Sequence, residues 1–163
     1  MQDDKTDFDL LAAQLDALID GESDALANTA NMVALIWQAL PQINWAGFYV
    51  LRGSALVLGP FQGNPACVRI PLGQGVCGTA AAERRTQRVA DVHDFAGHIA
   101  CDAASRSELV VPLLCDGVLL GVLDIDSPQT DRFSLRDQHG IELLCKHFVN
   151  HLRNGGSVNT PFI

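Results

Sequence analysis

The stretch ELVVPLLCDGVLLGVLDIDS, Glu108 to Ser127, decides the fold. Glu108 to Cys115 and Val118 to Ser127 are rich in Val, Leu and Ile, and Asp116-Gly117 stands between them. A two-residue type I′ turn needs positive φ at both central positions, which Asp-Gly accommodates, so the stretch reads as a β-hairpin. Asp124 and Asp126 interrupt its second arm, a run otherwise fit for a buried strand. Alternate strand residues share a face, so the two carboxylates point to one side and Ile125 to the other.

Working outward, Trp45 to Leu51, a turn at Arg52-Gly53-Ser54 and then Ala55 to Leu58 read as a first hairpin. Trp45 and Tyr49, four apart, fall on one face of it. Upstream, Phe8, Leu11, Leu15 and Leu18 recur at helical spacing, as do Leu26, Ala30, Val33, Trp37 and Leu40. Residues 6 to 40 therefore read as two amphipathic helices broken near Gly21. Between the hairpins, Gly73 to Ala82 is a glycine-rich turn leading into small helix-forming residues, which puts Cys77 near a helix start. That position favours a stabilised thiolate. Asp91 to Ser105 has no sustained period, carries His93, His98 and Cys101, and reads as a long loop. Ser134 with Asp137 fits a capping box, followed by an apolar stripe of Ile141, Leu144, Cys145, Phe148 and Leu152. The class is α+β: a central antiparallel sheet with helices packed on it, and a pocket between sheet and loop.

The 163 residues, 48% of them hydrophobic, suffice for one domain with a real core. The expected division is a domain over 1–153 and a flexible tail over 154–163. The acidic start and the lack of a long apolar run predict a cytoplasmic protein. A net charge of -8 argues against sequence-independent nucleic-acid binding, and the lack of a long apolar run argues against a membrane partner. Five cysteines, an odd number, are no structural disulfide framework in such a compartment. His93, His98 and Cys101 make no closed ligand set, so no metal is expected, and Gly73, Gly75 and Gly78 serve a turn rather than a phosphate.

Six segments, Asn44-Trp45-Ala46-Gly47-Phe48-Tyr49, Gly59 to Gly63, Gly75 to Ala80, Gly97 to Asp102, Ser107-Glu108 and Gly121 to Ser127, occur in an order that closely resembles the free methionine-(R)-sulfoxide reductases of the GAF fold. The resemblance covers roughly residues 8 to 152. It implies thiol-dependent reduction of the R epimer of free methionine sulfoxide, without a cofactor, with electrons from thioredoxin or another dithiol. It further implies Cys101 as nucleophile, Cys67 as resolving cysteine, Cys77 as an additional redox cysteine, a pocket of Trp45, Tyr49, Glu108, Asp124 and Asp126, and a homodimer.

The residue types suit that chemistry. A thiol attacking a sulfoxide needs an acid to protonate the departing oxygen, and carboxylates sharing one pocket repel until one holds a proton. Glu108 and Asp126 are the candidates for that acid, and the remaining carboxylates attract the α-ammonium of a free amino acid. Cys115, ending a strand, and Cys145, on the helix stripe, read as inert core thiols. A competing reading is a non-catalytic small-molecule-binding or redox-sensing GAF module, because one fold serves several functions.

Overall fold

The computed structural model describes residues 6–98, 103–155 and 162–163. Its elements run α1 (Phe8–Ile19), α2 (Ala25–Ala39), β1 (Trp45–Arg52), β2 (Ala55–Gly63), β3 (Arg69–Pro71), α3 (Gly75–Glu83), β4 (Gln87–Val89), a 3-10 turn (Val92–Asp94), β5 (Ser107–Cys115), β6 (Val118–Ser127) and α4 (Leu135–Asn154). The strands form one six-stranded sheet of order β3-β2-β1-β6-β5-β4, with every neighbouring pair antiparallel. The α+β class and its antiparallel centre are thus as the sequence predicts.

The β5–β6 turn has Asp116 at φ 49° and Gly117 at φ 81°, the positive pair that Asp-Gly was expected to supply. Alternation along the central strands separates two layers. Ala46, Phe48 and Val50 of β1, Leu109, Val111 and Leu113 of β5, and Leu123 and Ile125 of β6 face α1, α2 and α4. Trp45, Tyr49, Val110 and Val122 face the other way, toward α3.

The starts of α1, α2 and α4 are capped as their sequences dictate. Asp7 Oδ1 accepts from the Leu10 amide at 3.0 Å, and Asp24 Oδ1 from the Ala27 amide at 2.9 Å. Ser134 and Asp137 form the predicted reciprocal capping box, and the stripe from Ile141 to Leu152 is buried. Phe162 packs edge-on to Phe148, with ring centroids 6.2 Å apart, and Arg52 Nη2 donates to the Ile163 carbonyl.

Two helix faces differ from expectation. Leu18 is exposed and Ile19 takes its place, because Ile19 continues the row Phe8, Leu11, Ala12, Leu15. In α2 the buried row is Ala25, Asn28, Thr29, Met32, Val33 and Ile36, which leaves Leu26 and Ala30 exposed and Trp37 half-buried. The polar members tolerate burial because Thr29 Oγ1 donates to the carbonyls of Ala25 and Leu26, and Asn28 Nδ2 to that of Glu22. The first hairpin is longer than expected, since β2 continues to Gly63, its register shifting opposite Gly47 to Tyr49, where Pro60 is accommodated. Strands β3 and β4, three residues each, were not anticipated.

A second register shift is more consequential. Leu113 pairs with Gly121 and Leu114 with Leu119, so Leu120 is an extra residue in β6. Gly121 then lies so close to β1 that a Cβ would stand 2.2 Å from the Tyr49 carbonyl oxygen and 3.1 Å from Val50 Cα. Backbone cannot yield as a side chain does. Gly121→Ala should therefore cost about 1–3 kcal/mol or more, read as a lower urea midpoint at unchanged m-value.

Candidate active site

Three central strands deliver the site by register alone. Asp126 of β6 pairs with Trp45 of β1 on one side and Glu108 of β5 on the other, and Asp124 pairs with Gly47 and Val110 one step along. Trp45, Tyr49, Glu108, Asp124 and Asp126 consequently line one pocket, closed from above by the start of α3, where Gln74, Gly75, Val76 and Cys77 lie. Ile125 faces the opposite layer, as strand alternation predicts.

Gly47 leaves room for the indole. A Cβ there would meet the Trp45 ring at 2.6 Å and Phe61 Cβ at 2.5 Å, so the tryptophan lies back across its own strand. It stacks on Phe61 at 5.4 Å and on Tyr49 at 5.8 Å, and its Nε1 donates to the Asn64 carbonyl at 3.0 Å. The Tyr49 hydroxyl donates to the Cys67 carbonyl at 3.0 Å. Trp45 and Tyr49, the two aromatic residues of β1 on this face, thus tether the segment leading to Cys67. Burial, then Asp124, raises the Tyr49 pKa, which keeps the phenol a donor at neutral pH.

Cys77 Sγ donates to Glu108 Oε1 at 3.8 Å, and both residues, like Asp124, are buried. Burial, followed by the Asp124 and Asp126 charges, drives the Glu108 carboxyl well above the ordinary carboxylate range. Asp124 is raised by burial to about 6, with hydrogen bonds from Cys77 and Glu108 opposing the rise. One member of this pair therefore holds a proton near neutrality while the other is charged, and Glu108 is the protonated one. Asp124 Oδ1 is buried without a hydrogen-bond partner. Among the described residues lining the pocket there is no lysine or arginine to neutralise it.

The expected thiolate at Cys77 is not what forms. Burial first, then Asp124 and Glu108, raise its pKa well above the usual thiol value. Loss of solvent and two adjacent acids outweigh a nearby helix start. Cys67 is held in a disulfide, whereas Cys77, Cys115 and Cys145 are free and buried. Cys101, the expected nucleophile, lies outside the described residues.

Two residues that sequence reasoning did not assign to the pocket also line it, His98, weighed there only as a metal ligand, and Ser105. His98 Nε2 is 4.0 Å from Glu108 Oε2, and burial followed by His93 lowers its pKa, so it is a neutral neighbour. Ser105 Oγ accepts from Asn44 Nδ2 at 3.3 Å, linking the loop to the residue before β1. Their position after Asp91 in an aperiodic stretch is the signal that they held, since loops on a rigid sheet carry polar groups to sites. His93 stays outside the pocket, exposed and paired with Asp91 at 2.8 Å.

The GAF domain family model matches residues 14–152. The free methionine-R-sulfoxide reductase of Escherichia coli (strain K12) is 55% identical over 141 residues, 86% of this chain and 86% of that protein. The free methionine-R-sulfoxide reductase of Saccharomyces cerevisiae is 46% identical over 144 residues, 83% of this chain and 80% of that one. Among solved structures, the fRMsr of Staphylococcus aureus in complex with substrate superposes with a TM-score of 0.87 at 54% identity, covering 91% of this chain and 97% of that chain. On the strength of fold, pocket and these likenesses, the chain belongs to the GAF-domain family and, within it, to the free methionine-R-sulfoxide reductases.

Proposed function

We propose that the protein reduces free L-methionine-(R)-sulfoxide to L-methionine, with Cys101 as nucleophile and Cys67 as resolving cysteine. The observation that carries this reading is the buried Glu108–Asp124 pair beside the Trp45 wall. It offers an acid and an anion within one pocket, as a zwitterion bearing a basic oxide requires. Asp124 Oδ1, lacking a partner, accepts from the substrate ammonium, and Asp126 adds a second negative group at the same end. A methionine residue inside a peptide has no such ammonium, which restricts the substrate to the free amino acid. The Trp45 ring receives the S-methyl group.

The Cys101 sulfur attacks the sulfoxide sulfur while Glu108 gives its proton to the oxygen. Methionine departs, and Cys101 carries the oxygen as a sulfenic acid. The Cys67 thiol displaces that oxygen as water and forms a disulfide with Cys101. Thioredoxin or another dithiol then reduces the disulfide by exchange and is itself oxidised. Cys77, buried and bonded to Glu108, serves this reading better as a donor that orients the acid than as a second thiolate. Two copies of the chain, acting in the cytoplasm, complete the proposal.

The deciding experiment supplies R and S epimers, free and peptide-bound, to protein with thioredoxin and its reductase. Release of methionine from the free R form alone, abolished in Cys101→Ser, is the expected result. Tight binding of the sulfoxide by fully reduced protein with no release of methionine would instead make it a sensory GAF module.

Glu108→Gln should lower kcat by about 10²- to 10⁴-fold with little change in KM, because the amide keeps the shape and loses the proton. Acid should act on binding. Asp124 must be ionised to hold the ammonium, so KM should climb as pH falls through about 6, and that rise should be absent in Asp124→Asn, whose KM is high throughout.

A further inference from the structure

Cys77, Glu108 and Asp124 each present one ligand atom within 4.8 Å of the other two, and all three residues are buried. The arrangement contains more than reduction of a sulfoxide asks for. The substrate ammonium needs carboxylates and the oxide needs an acid, and the Cys77 sulfur serves them only through its hydrogen bond to Glu108. We propose that this triad is a binding site for a thiophilic divalent cation of the zinc type, which competes with the substrate ammonium and holds the enzyme idle.

Geometry supports the set. A tetrahedral zinc with sulfur at about 2.3 Å and oxygen at about 2.0 Å separates those ligands by about 3.5 Å. Cys77 Sγ and Glu108 Oε1 are 3.8 Å apart, so a cation between them draws them together only slightly. Asp124 offers an open acceptor to whichever cation enters, the substrate ammonium or a metal ion. It is 6% exposed, lines the same pocket, and its Oδ1 has nothing to accept from. His98 Nε2 stands 4.0 Å from the second Glu108 oxygen and is the nearest candidate for a fourth donor.

The chemistry is consistent with the pocket's charge. On coordination the Cys77 sulfur–hydrogen bond breaks, its proton goes to solvent, and a sulfur–metal bond replaces it; a proton on Glu108 leaves in the same way. No oxidant or reductant is involved. A buried thiolate and two carboxylates are costly together, and a bound divalent cation offsets that cost where solvent cannot. Cys115 and Cys145 lie in the opposite layer and have no part in the site.

The test uses the whole protein with the Cys67 disulfide intact, so that the redox pair offers no thiolate. Cobalt(II) is titrated in and the thiolate-to-cobalt charge-transfer absorption followed, with zinc then added to displace it. One equivalent per chain is expected, with the band absent in Cys77→Ala, binding roughly tenfold or more weaker in Asp124→Asn, and the band retained in Cys115→Ala. A parent protein without the band, or a Cys77→Ala protein that keeps it, overturns the proposal. Circular dichroism of each variant separates loss of the ligand from loss of the fold. If Cys77→Ala does not fold, the Asp124→Asn comparison decides, and undiminished affinity there also overturns it. Absorbance rather than turnover reports binding, so failure here leaves the reductase reading standing. In the reduced enzyme, zinc should raise KM for the free sulfoxide without lowering kcat.

Discussion

Antiparallel pairing of β1 and β5 on either side of β6 is the constraint from which the rest follows. It fixes Trp45, Asp126 and Glu108 in one row and Gly47, Asp124 and Val110 in the next. Because the side-chain period of a strand is two, every residue that leaves this pocket enters the helical layer behind it. Ala46, Leu123 and Ile125 fill that layer beneath α1, α2 and α4. Apolar burial on one face thus holds an acidic constellation on the other, and neither face can be re-registered alone.

That arrangement explains how three carboxylates are tolerated. Exposed acids would simply ionise, and a buried one without hydrogen-bond donors would be neutral. Here Glu108 and Asp124 share a low-dielectric wall with Cys77 above and no Lys or Arg among the described lining residues. Separation of the two titrations follows from position: Asp124 accepts from both Cys77 and Glu108, whereas Glu108 faces the negative charge of Asp124 and Asp126. The division of labour between acid and anion is a product of environment rather than of residue type.

Much of this was legible in the sequence because it rests on short-range rules. Asp116-Gly117 specifies its turn, Ser134 with Asp137 its cap, and the alternation from Gly121 to Ser127 the shared face of Asp124 and Asp126. Features set by tertiary contact were less legible. Leu18 and Leu26 are as apolar as their buried neighbours, and only the partner helices select which row is covered. β3 and β4 are too short to show a period, and their pairing comes from β2 and β5. Cys77 was placed correctly at a helix start, but its electrostatics depend on two acids from distant strands, which no local window contains.

The extra residue Leu120 separates two halves of one strand that answer to different demands. Between the turn and Leu119 the chain keeps one parity, and from Gly121 onward it keeps the other. Deleting Leu120 would close the ladder with both faces unchanged, because Leu119 would still oppose Leu114 and Gly121 would still oppose Leu113; what would be lost is a fully buried side chain of the helical layer. The irregularity works as a phase joint. It adds Leu120 to the core beneath the helices while Asp124 and Asp126 keep their places opposite β1 and β5.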